Sequence, residues 1–148
     1  MNLLSRRSLL AIAAVVDVAM HARPVPAAAK SLAARHNLPP RHLETLLQTL
    51  VRSGILKGVR GPRGGYELAR ERRRISAGEI VRAAMADATV EEAQPESALV
   101  TLVIGPMVQS AGEAYLALLD DVSVDDLCRQ AEERQVFGAR GPVEDFTI

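Results

Sequence analysis

Residues 36–40 interrupt the chain between two short helical patterns and force a tight turn there. Asn37 tolerates the left-handed conformation that ends a helix, and Pro40 can open the next helix at its first turn. The apolar spacing predicts one helix over residues 27–35 and a second over residues 40–53, closed by Gly54. Two helices joined by such a turn form the centre of helix-turn-helix folds.

The second helix of this pair has an apolar face and a polar face. Its apolar residues recur at helical spacing and predict the buried side: Leu43, Leu46, Leu47 and Leu50. The other side carries polar, hydrogen-bonding and cationic residues: Arg41, His42, Thr45, Gln48, Thr49 and Arg52. This polar face is suited to reading the major groove of DNA, although many ordinary helical hairpins have similar spacing.

A β-hairpin is predicted directly after the second helix. Residues 55–60 and 66–69 favour strands, and the glycine- and proline-rich stretch 61–65 favours the turn between them. Arg60 and Arg63 lie beside glycines that allow close backbone approach, so the tip is suited to entering a minor groove or lying along phosphates. The alternative is an ordinary solvated hairpin in which surface charges are normal.

The formal net charge of +0 hides a strong separation of charge along the chain. Residues 1–82 hold 15 basic and 5 acidic residues, whereas residues 83–148 hold 3 basic and 13 acidic ones. A basic N-terminal half points to a polyanionic partner, of which double-stranded DNA is the first candidate. Mutual neutralisation of the two halves within one fold is the alternative explanation.

The N-terminal segment supports two interpretations. Residues 9–21 are apolar on most sides, as expected of a helix buried in a domain or a dimer, and they are too short and too interrupted to span a membrane. The same segment imitates a twin-arginine export signal, because Arg6 and Arg7 precede the apolar stretch and 26–29 offers small residues. Asp17 and His21 interrupt the apolar run and favour the buried helix.

The residues from the second helix to the hairpin resemble the Rrf2 family of winged helix-turn-helix regulators. The strongest match is the run from Val59 to Tyr66, which reads Val-Arg-Gly-Pro-Arg-Gly-Gly-Tyr. The family includes the bacterial iron–sulfur cluster regulator, the nitric-oxide-sensing repressor and the cysteine-metabolism repressor. The resemblance extends over residues 4–127 and implies a mainly α fold, in which a winged helix-turn-helix domain with a small β-hairpin wing is followed by a long dimerisation helix.

The resemblance also implies roles for individual residues. Arg41, Glu44 and Thr45 take the recognition-helix positions that approach bases, and Arg60 takes the wing position that enters the minor groove. Arg41 is suited to contacting a guanine, Glu44 to accepting from a cytosine amino group, and Thr45 to contacting a thymine methyl group. The remaining candidate DNA contacts supply phosphate neutralisation or support: Arg6, Arg7, Lys30, His42, Gln48, Arg52, Lys57 and Arg63.

Sensing members of the family carry three cluster-holding cysteines near the start of the long helix. The corresponding stretch, 88–105, contains neither cysteine nor histidine, and Cys128 is the only cysteine of the chain. The sequence therefore predicts no iron–sulfur cluster, no metal and no other cofactor. Two alternatives stay open: a hard cation at Glu91, Glu92 and Glu96, and a redox role for Cys128, whose acidic neighbours would raise the thiol pKa.

Beyond the wing, the pattern Ser76-x-x-Glu79 predicts a capped helix that closes a DNA-binding domain of residues 1–86. An acidic linker is expected over 87–97, a dimerisation region over 98–130 with a kink at Gly105-Pro106, and a flexible tail over 131–148. The predicted dimer contacts follow helical spacing: Leu99, Leu102, Val103, Met107, Ala111, Ala114 and Leu118.

Taken together, these patterns predict a cytoplasmic, homodimeric DNA-binding regulator that represses from a palindromic operator. No nucleophile–base pair, phosphate loop or paired inward carboxylates are apparent, so we expect no enzymatic activity. The signal would come from an effector protein or a small-molecule ligand, and the resemblance to the cluster-free cysteine-metabolism repressor favours a partner. Two alternatives remain: a winged-helix scaffold used for protein interaction, and an exported small helical protein.

Overall fold

A buried N-terminal helix organises the domain around it. The computed structural model describes residues 3–86 and 97–138. Its first helix, α1 (Arg6–His21), begins at Ser5, whose side chain accepts a hydrogen bond from the Ser8 amide at 3.1 Å. The other elements follow in order: α2 (Ala29–His36), α3 (Pro40–Arg52), β1 (Leu56–Val59), β2 (Gly65–Leu68), a 3-10 turn (Arg72–Arg74), α4 (Ala77–Ala86), a π-helical turn (Val100–Ile104), α5 (Gly105–Asp120) and α6 (Val124–Glu133).

The turn between α2 and α3 has the predicted chemistry. Asn37 ends α2 with a φ of 52°, in the left-handed region that asparagine tolerates. Pro40 is the first residue of α3, where a missing amide hydrogen costs nothing. The predicted inner face of α3 is also confirmed, since Leu43, Leu46, Leu47 and Leu50 are all buried.

The wing is an antiparallel hairpin in which Leu56 lies opposite Leu68 and Val59 lies opposite Gly65. A third segment joins it, because the amide of Ala27 donates to the carbonyl of Tyr66 at 2.9 Å and the Tyr66 amide donates back at 2.8 Å. A β-carbon on Gly65 would lie 2.4 Å from the Ala27 carbonyl oxygen, so only glycine permits this pairing. The double glycine of the wing motif therefore has a packing reason.

The hydrophobic core is built around α1 and includes a helix that the sequence analysis missed. Ala11, Val15 and Val18 of α1 are fully or almost fully buried against residues of α2, α3 and α4. Val124 and Cys128 of α6 belong to the same core. The winged domain therefore includes a helix that lies about 40 residues after its expected end, and residues 131–133, assigned to the tail, form the last turn of α6.

Two capping boxes anchor the later helices. Ser76 and Glu79 form the predicted one at the start of α4, with the Ser76 amide donating to Glu79 at 3.2 Å. The second, between Ser123 and Asp126, starts α6. The pattern Ser123-x-x-Asp126, followed by apolar residues at helical spacing, was the signal that could have revealed α6.

The predicted irregularity around Gly105 is present as a π-helical turn that leads directly into α5. A β-carbon on Gly105 would lie 2.9 Å from the Val100 carbonyl oxygen, which is tight for any larger residue. The expected acidic linker, including Glu91, Glu92 and Glu96, lies outside the described residues except for Ser97.

Candidate nucleic-acid interface

The outer face of α3 presents the predicted recognition residues to solvent. Five of them are exposed along one side of the helix: Arg41, His42, Glu44, Thr45 and Gln48. The hydroxyl of Thr45 donates to the Arg41 carbonyl at 3.2 Å, a bond within α3 itself. Since the leucine face is buried, only this polar side of α3 is available to a large partner.

Thr49 is the exception, because the structure buries it although the sequence analysis placed it on the outer face. Its hydroxyl donates to the Thr45 carbonyl at 3.1 Å and receives hydrogen bonds from Arg7 at 3.2 Å and Arg52 at 3.3 Å. Arg7 therefore ties the start of α1 to the end of α3. Arg7 therefore supports α3 from within the domain. Arg6 and Lys30, in contrast, are exposed and have the accessibility that a phosphate contact needs.

Two arginines project around the wing turn. Arg60 and Arg63 are exposed, and the turn between them closes through a hydrogen bond from the Gly64 amide to the Gly61 carbonyl at 2.9 Å. Gly61 has a φ of 118°, which strains any residue with a β-carbon. At the base of the wing, Lys57 forms an exposed ion pair with Glu67 at 3.4 Å, so this lysine has an internal partner in the structure.

Tyr66 of strand β2 is partly buried. Burial, and secondarily the charge of Glu44, raise the pKa of the Tyr66 hydroxyl above its usual value. A negative charge on the outer face of α3 therefore acts on a side chain of the wing.

A buried ion cluster, missed at the sequence level, fixes α1 against α2. The carboxylate of Asp17 is fully buried and accepts hydrogen bonds from Arg35, whose Nε lies 2.8 Å from Oδ2 and whose Nη2 lies 2.5 Å from Oδ1. His36 Nε2 lies 2.7 Å from Oδ2, and His21 Nδ1 lies 3.1 Å from Oδ1. The hydrogen bond to Asp17 raises the pKa of the Arg35 guanidinium.

The ion cluster orients the helix-turn-helix unit because α2 leads directly into α3. A buried charge without partners is very costly, so Asp17 must keep Arg35 and His36 close. The sequence signal was present: an acidic residue inside an apolar helix normally needs a cationic partner, and residues 35 and 36 supply two candidates. The same burial disfavours the export interpretation, since α1 belongs to the domain core.

The seven predicted dimer contacts are all exposed in the single chain. The largest side chains among them, such as Leu102 and Leu118, are 74% and 71% exposed. The segment Val100–Asp120 is also long and apolar enough to cross a membrane by length and composition alone, with a mean hydropathy of 1.3. Water is a poor environment for such a continuous apolar surface, so the helix needs a partner surface.

Cys128 is a poor redox or metal site. The thiol is buried, and burial is the main reason that its pKa lies above the usual value. The acidic neighbours Asp125 and Glu132 add to this increase, as the sequence predicted, but they are minor causes, and Arg72 acts in the opposite direction. Within residues 3–86 and 97–138, no group of three potential metal ligands comes together.

An iron–sulfur cluster does not fit the residues of this chain. Cluster ligation requires several thiolates, and the sequence contains a single cysteine, which is buried in the core of the winged domain. The donor set is therefore wrong both in number and in position, whatever the cluster type.

Comparison with known proteins identifies relatives of this chain. The family described as "Rrf2: Iron-dependent Transcriptional regulator" matches residues 4–130. The transcriptional regulator IscR of Aliivibrio salmonicida is 29% identical over 144 residues, covering 92% of this chain and 86% of that protein. IscR of Xenorhabdus nematophila is 34% identical over 80 residues, and there the match covers 54% of this chain and only 49% of the relative. The chain thus matches about half the length of several relatives.

Two solved structures have the same fold. IscR of T. potens superposes with a TM-score of 0.70 and 30% sequence identity, covering 93% of both chains. The global cysteine regulator CymR of B. subtilis superposes with a TM-score of 0.66 and 25% identity, covering 88% of this chain and 98% of that one. Both comparisons extend beyond the winged domain and include the long C-terminal helix.

Proposed function

Because this chain belongs to the Rrf2 family of transcriptional regulators, we propose that it binds a palindromic operator as a homodimer and represses transcription there. The proposal includes a cytoplasmic location and no enzymatic activity. The observation that carries it is the exposed polar face of α3 beside a wing with two exposed arginines. A recognition helix in the major groove with an adjacent wing is a known DNA-docking arrangement.

The proposed contacts divide into two groups. Arg41, Glu44 and Thr45 contact base edges in the major groove, and Arg60 enters the minor groove. The other candidates contact phosphates or support the reading residues and add affinity without sequence information: Arg6, Arg7, Lys30, His42, Gln48, Arg52, Lys57 and Arg63. Of these, Arg7 and Arg52 act partly through their hydrogen bonds to Thr49, which hold the end of α3.

The dimer follows from the apolar face of α5 and the preceding turn. A second copy of the chain would cover this face through the seven predicted contacts: Leu99, Leu102, Val103, Met107, Ala111, Ala114 and Leu118. Twofold symmetry then presents two recognition helices to two half-sites of a palindrome. We favour this over a membrane location because the helix is attached at its end to a folded domain with an exposed basic face.

Regulation does not use an iron–sulfur cluster in this proposal, since the donor set is wrong. An effector protein or a small-molecule ligand is the proposed signal. Use of the winged helix only as a scaffold for protein interaction is less favoured, because such a role gives no reason for exposed arginines at the wing tip.

Fluorescence anisotropy with labelled DNA tests the proposal. The full chain is titrated onto DNA from its own upstream region and onto a scrambled duplex, at physiological and lower salt, without added metal. We expect specific binding about 10³-fold tighter than for the scrambled duplex, weakening steeply with salt.

Equal and weak binding to both duplexes at both salt concentrations would argue against operator recognition by this chain. A genomic selection for bound fragments, performed with the same protein, then separates a distant operator from a loss of DNA reading. If no fragment is enriched, the scaffold interpretation takes its place.

A further inference from the structure

A groove of about 1070 Å³ lies at the base of the wing, at the end of the hairpin opposite its turn. We call it the wing-base groove. One wall is the C-terminal end of α1 with the residues up to Pro24, and another is formed by the ends of β1 and β2. The segment 70–73 and Glu132 of α6 close the remaining sides. Among the proposed DNA contacts, only Lys57 borders this groove.

The groove combines apolar surface with charged side chains of both signs, and its five cations outnumber its three carboxylates, Glu67, Glu71 and Glu132. Val18 is buried beneath it, and Met20 and Leu68 contribute partly exposed apolar side chains. Its cationic lining residues come from three segments of the chain: Arg23, Lys57, and Arg70, Arg72 and Arg73 of the stretch 70–73. Apolar walls with a few placed polar groups are the usual composition of small-molecule sites.

Most of these cations are already neutralised by neighbouring carboxylates. The ion pairs measure 3.4, 3.1 and 2.8 Å and join, in that order, Lys57 with Glu67, Arg70 with Glu79, and Arg72 with Asp125. Arg23 and Arg73 differ, because neither forms a hydrogen bond or an ion pair with another residue of the described ranges 3–86 and 97–138. Two uncommitted guanidinium groups from separate segments therefore border one groove.

We propose that the wing-base groove binds a small organic anion in which a carboxylate or phosphate group is attached to an apolar body. Arg23 and Arg73 hold the acidic group, since guanidinium groups bind both oxyanions through paired hydrogen bonds. Met20 and Leu68 contact the apolar body. An anion that is compact and purely polar would leave this apolar surface uncovered.

The position of the groove makes the ligand an effector of DNA binding, a step that rests on the proposed function. Strand β2 forms one wall and leads back to the wing turn with its exposed arginines. A ligand that contacts both the end of α1 and strand β2 binds one arrangement of the wing more tightly than another. It can therefore change DNA affinity by at most the ratio of its own affinities for these two wing arrangements.

Binding is tested by NMR on the full-length protein with two anionic probes, phenyl phosphate and 3-phenylpropionate, at constant ionic strength. The neutral 3-phenylpropanol is the matched control for the second probe. We expect saturable shifts of the backbone amides in residues 18–23 and 68–73 with an anionic probe. The double variant Arg23→Gln/Arg73→Gln weakens binding about tenfold or more. Arg74→Gln, next to the groove and outside its lining, leaves binding unchanged.

Three outcomes overturn the site. The first is the absence of saturable shifts with both anions up to about 20 mM, a concentration that would reveal even a weak millimolar complex. The second is equal binding of the neutral alcohol. The third is unchanged binding by the double variant, which would mean that the arginines hold no ligand.

DNA titrations with and without the bound probe test the effector role. Saturating probe should change the affinity of the wild-type protein for its operator about fivefold or more and leave that of the double variant unchanged. Unchanged operator affinity of the wild type with probe bound overturns the effector role. If the double variant binds DNA more weakly without any probe, the groove holds a DNA phosphate, which also overturns the proposal. Failure of the wild type to bind any DNA contradicts the proposed function and leaves the NMR result intact.

Discussion

The winged domain buries its apolar side chains within the chain, whereas α5 leaves most of its own exposed. In the winged domain, the apolar faces of α1, α3 and α4 meet in one core, and a buried carboxylate is matched by three nitrogen-bearing partners. Along the segment Val100–Asp120, most of the large apolar side chains remain exposed, among them Leu102, Met107 and Leu118. The difference indicates that one region is complete within a single chain and that the other is completed by an additional surface.

The junction between the two regions lies at the C-terminal end of α5. Arg82 of α4 forms paired hydrogen bonds with Asp120, lowering the pKa of that carboxyl group, and the Ala77 amide donates to the Val122 carbonyl at 2.8 Å. A β-carbon on Gly78 would collide with the Asp120 side chain. Because these contacts fix only one end of α5, most of the helix projects away from its own domain.

Loss of the Asp17 carboxylate should cause the largest change, and it tests whether the winged domain is complete on its own. In Asp17→Ala, the cationic Arg35 loses its buried partner. We expect a loss of about 3 to 5 kcal/mol in the free energy of unfolding, toward the lower figure because Arg35 is partly exposed. Urea unfolding followed by circular dichroism measures it.

The exposed Asp121→Ala serves as the matched control and should change stability by less than about 0.5 kcal/mol. If Asp17→Ala and Asp121→Ala were equally stable, the buried ion cluster would not hold α1 against α2. The winged domain would then be stabilised by its apolar core without a contribution from this cluster.

A charge on the apolar face of α5 tests the other region. Leu102→Glu should convert the proposed dimer to a monomer, because burying an unpaired carboxylate at the interface is costly. A monomer reaches one half-site, so operator affinity should fall about 10²-fold or more. Analytical ultracentrifugation and anisotropy measure the two effects on the same preparation.

Gln109→Lys, on the same helix outside the predicted contacts, should leave both mass and affinity unchanged. A Leu102→Glu protein that stays dimeric and binds DNA normally would show that the exposed face of α5 is covered by something other than a second copy.

The two regions also differ in how far the sequence predicted them. The helix-turn-helix and wing were predicted because each rests on local chemistry: Asn37 at a left-handed position, Pro40 at a helix start, and glycines where the backbone approaches closely. The role of Asp17 was not predicted, since two of its three partners, Arg35 and His36, lie 18 and 19 residues away and only the fold brings them to the carboxylate.

The helix α6 was missed for a different reason. Its capping signal at Ser123 lies in the sequence, but this helix is short and mostly polar, and only Val124 and Cys128 are buried in the core. The proposed DNA contacts remain predictions because base recognition depends on a partner that no single chain contains.

Removal of the wing-tip arginine tests recognition within the complete domain. Arg60→Ala should cost about 1 to 3 kcal/mol in binding and relax selectivity at an A/T-rich position of the operator. Because Arg60 is exposed, stability should not change. Anisotropy against operator variants checks the selectivity, and Arg134→Ala, at the end of α6, is the control. Unchanged affinity and selectivity would remove the wing from the interface.

The smallest effect concerns the capping box that starts α6. Ser123→Ala removes the hydroxyl that accepts from the Asp126 amide at 3.0 Å, and we expect a loss of about 1 kcal/mol in the free energy of unfolding. Ser110→Ala, in the exposed middle of α5, should have almost no effect.

Since hydrogen bonds from Ser123 lower the pKa of Asp126, the Asp126 carboxylate contributes to stability above the ordinary aspartate pKa. This contribution is lost as the pH falls through the lowered value. Urea unfolding of Asp126→Asn at pH 7 and at acidic pH should therefore show a deficit that shrinks on acidification, and a constant deficit would mean that the cap acts without its charge.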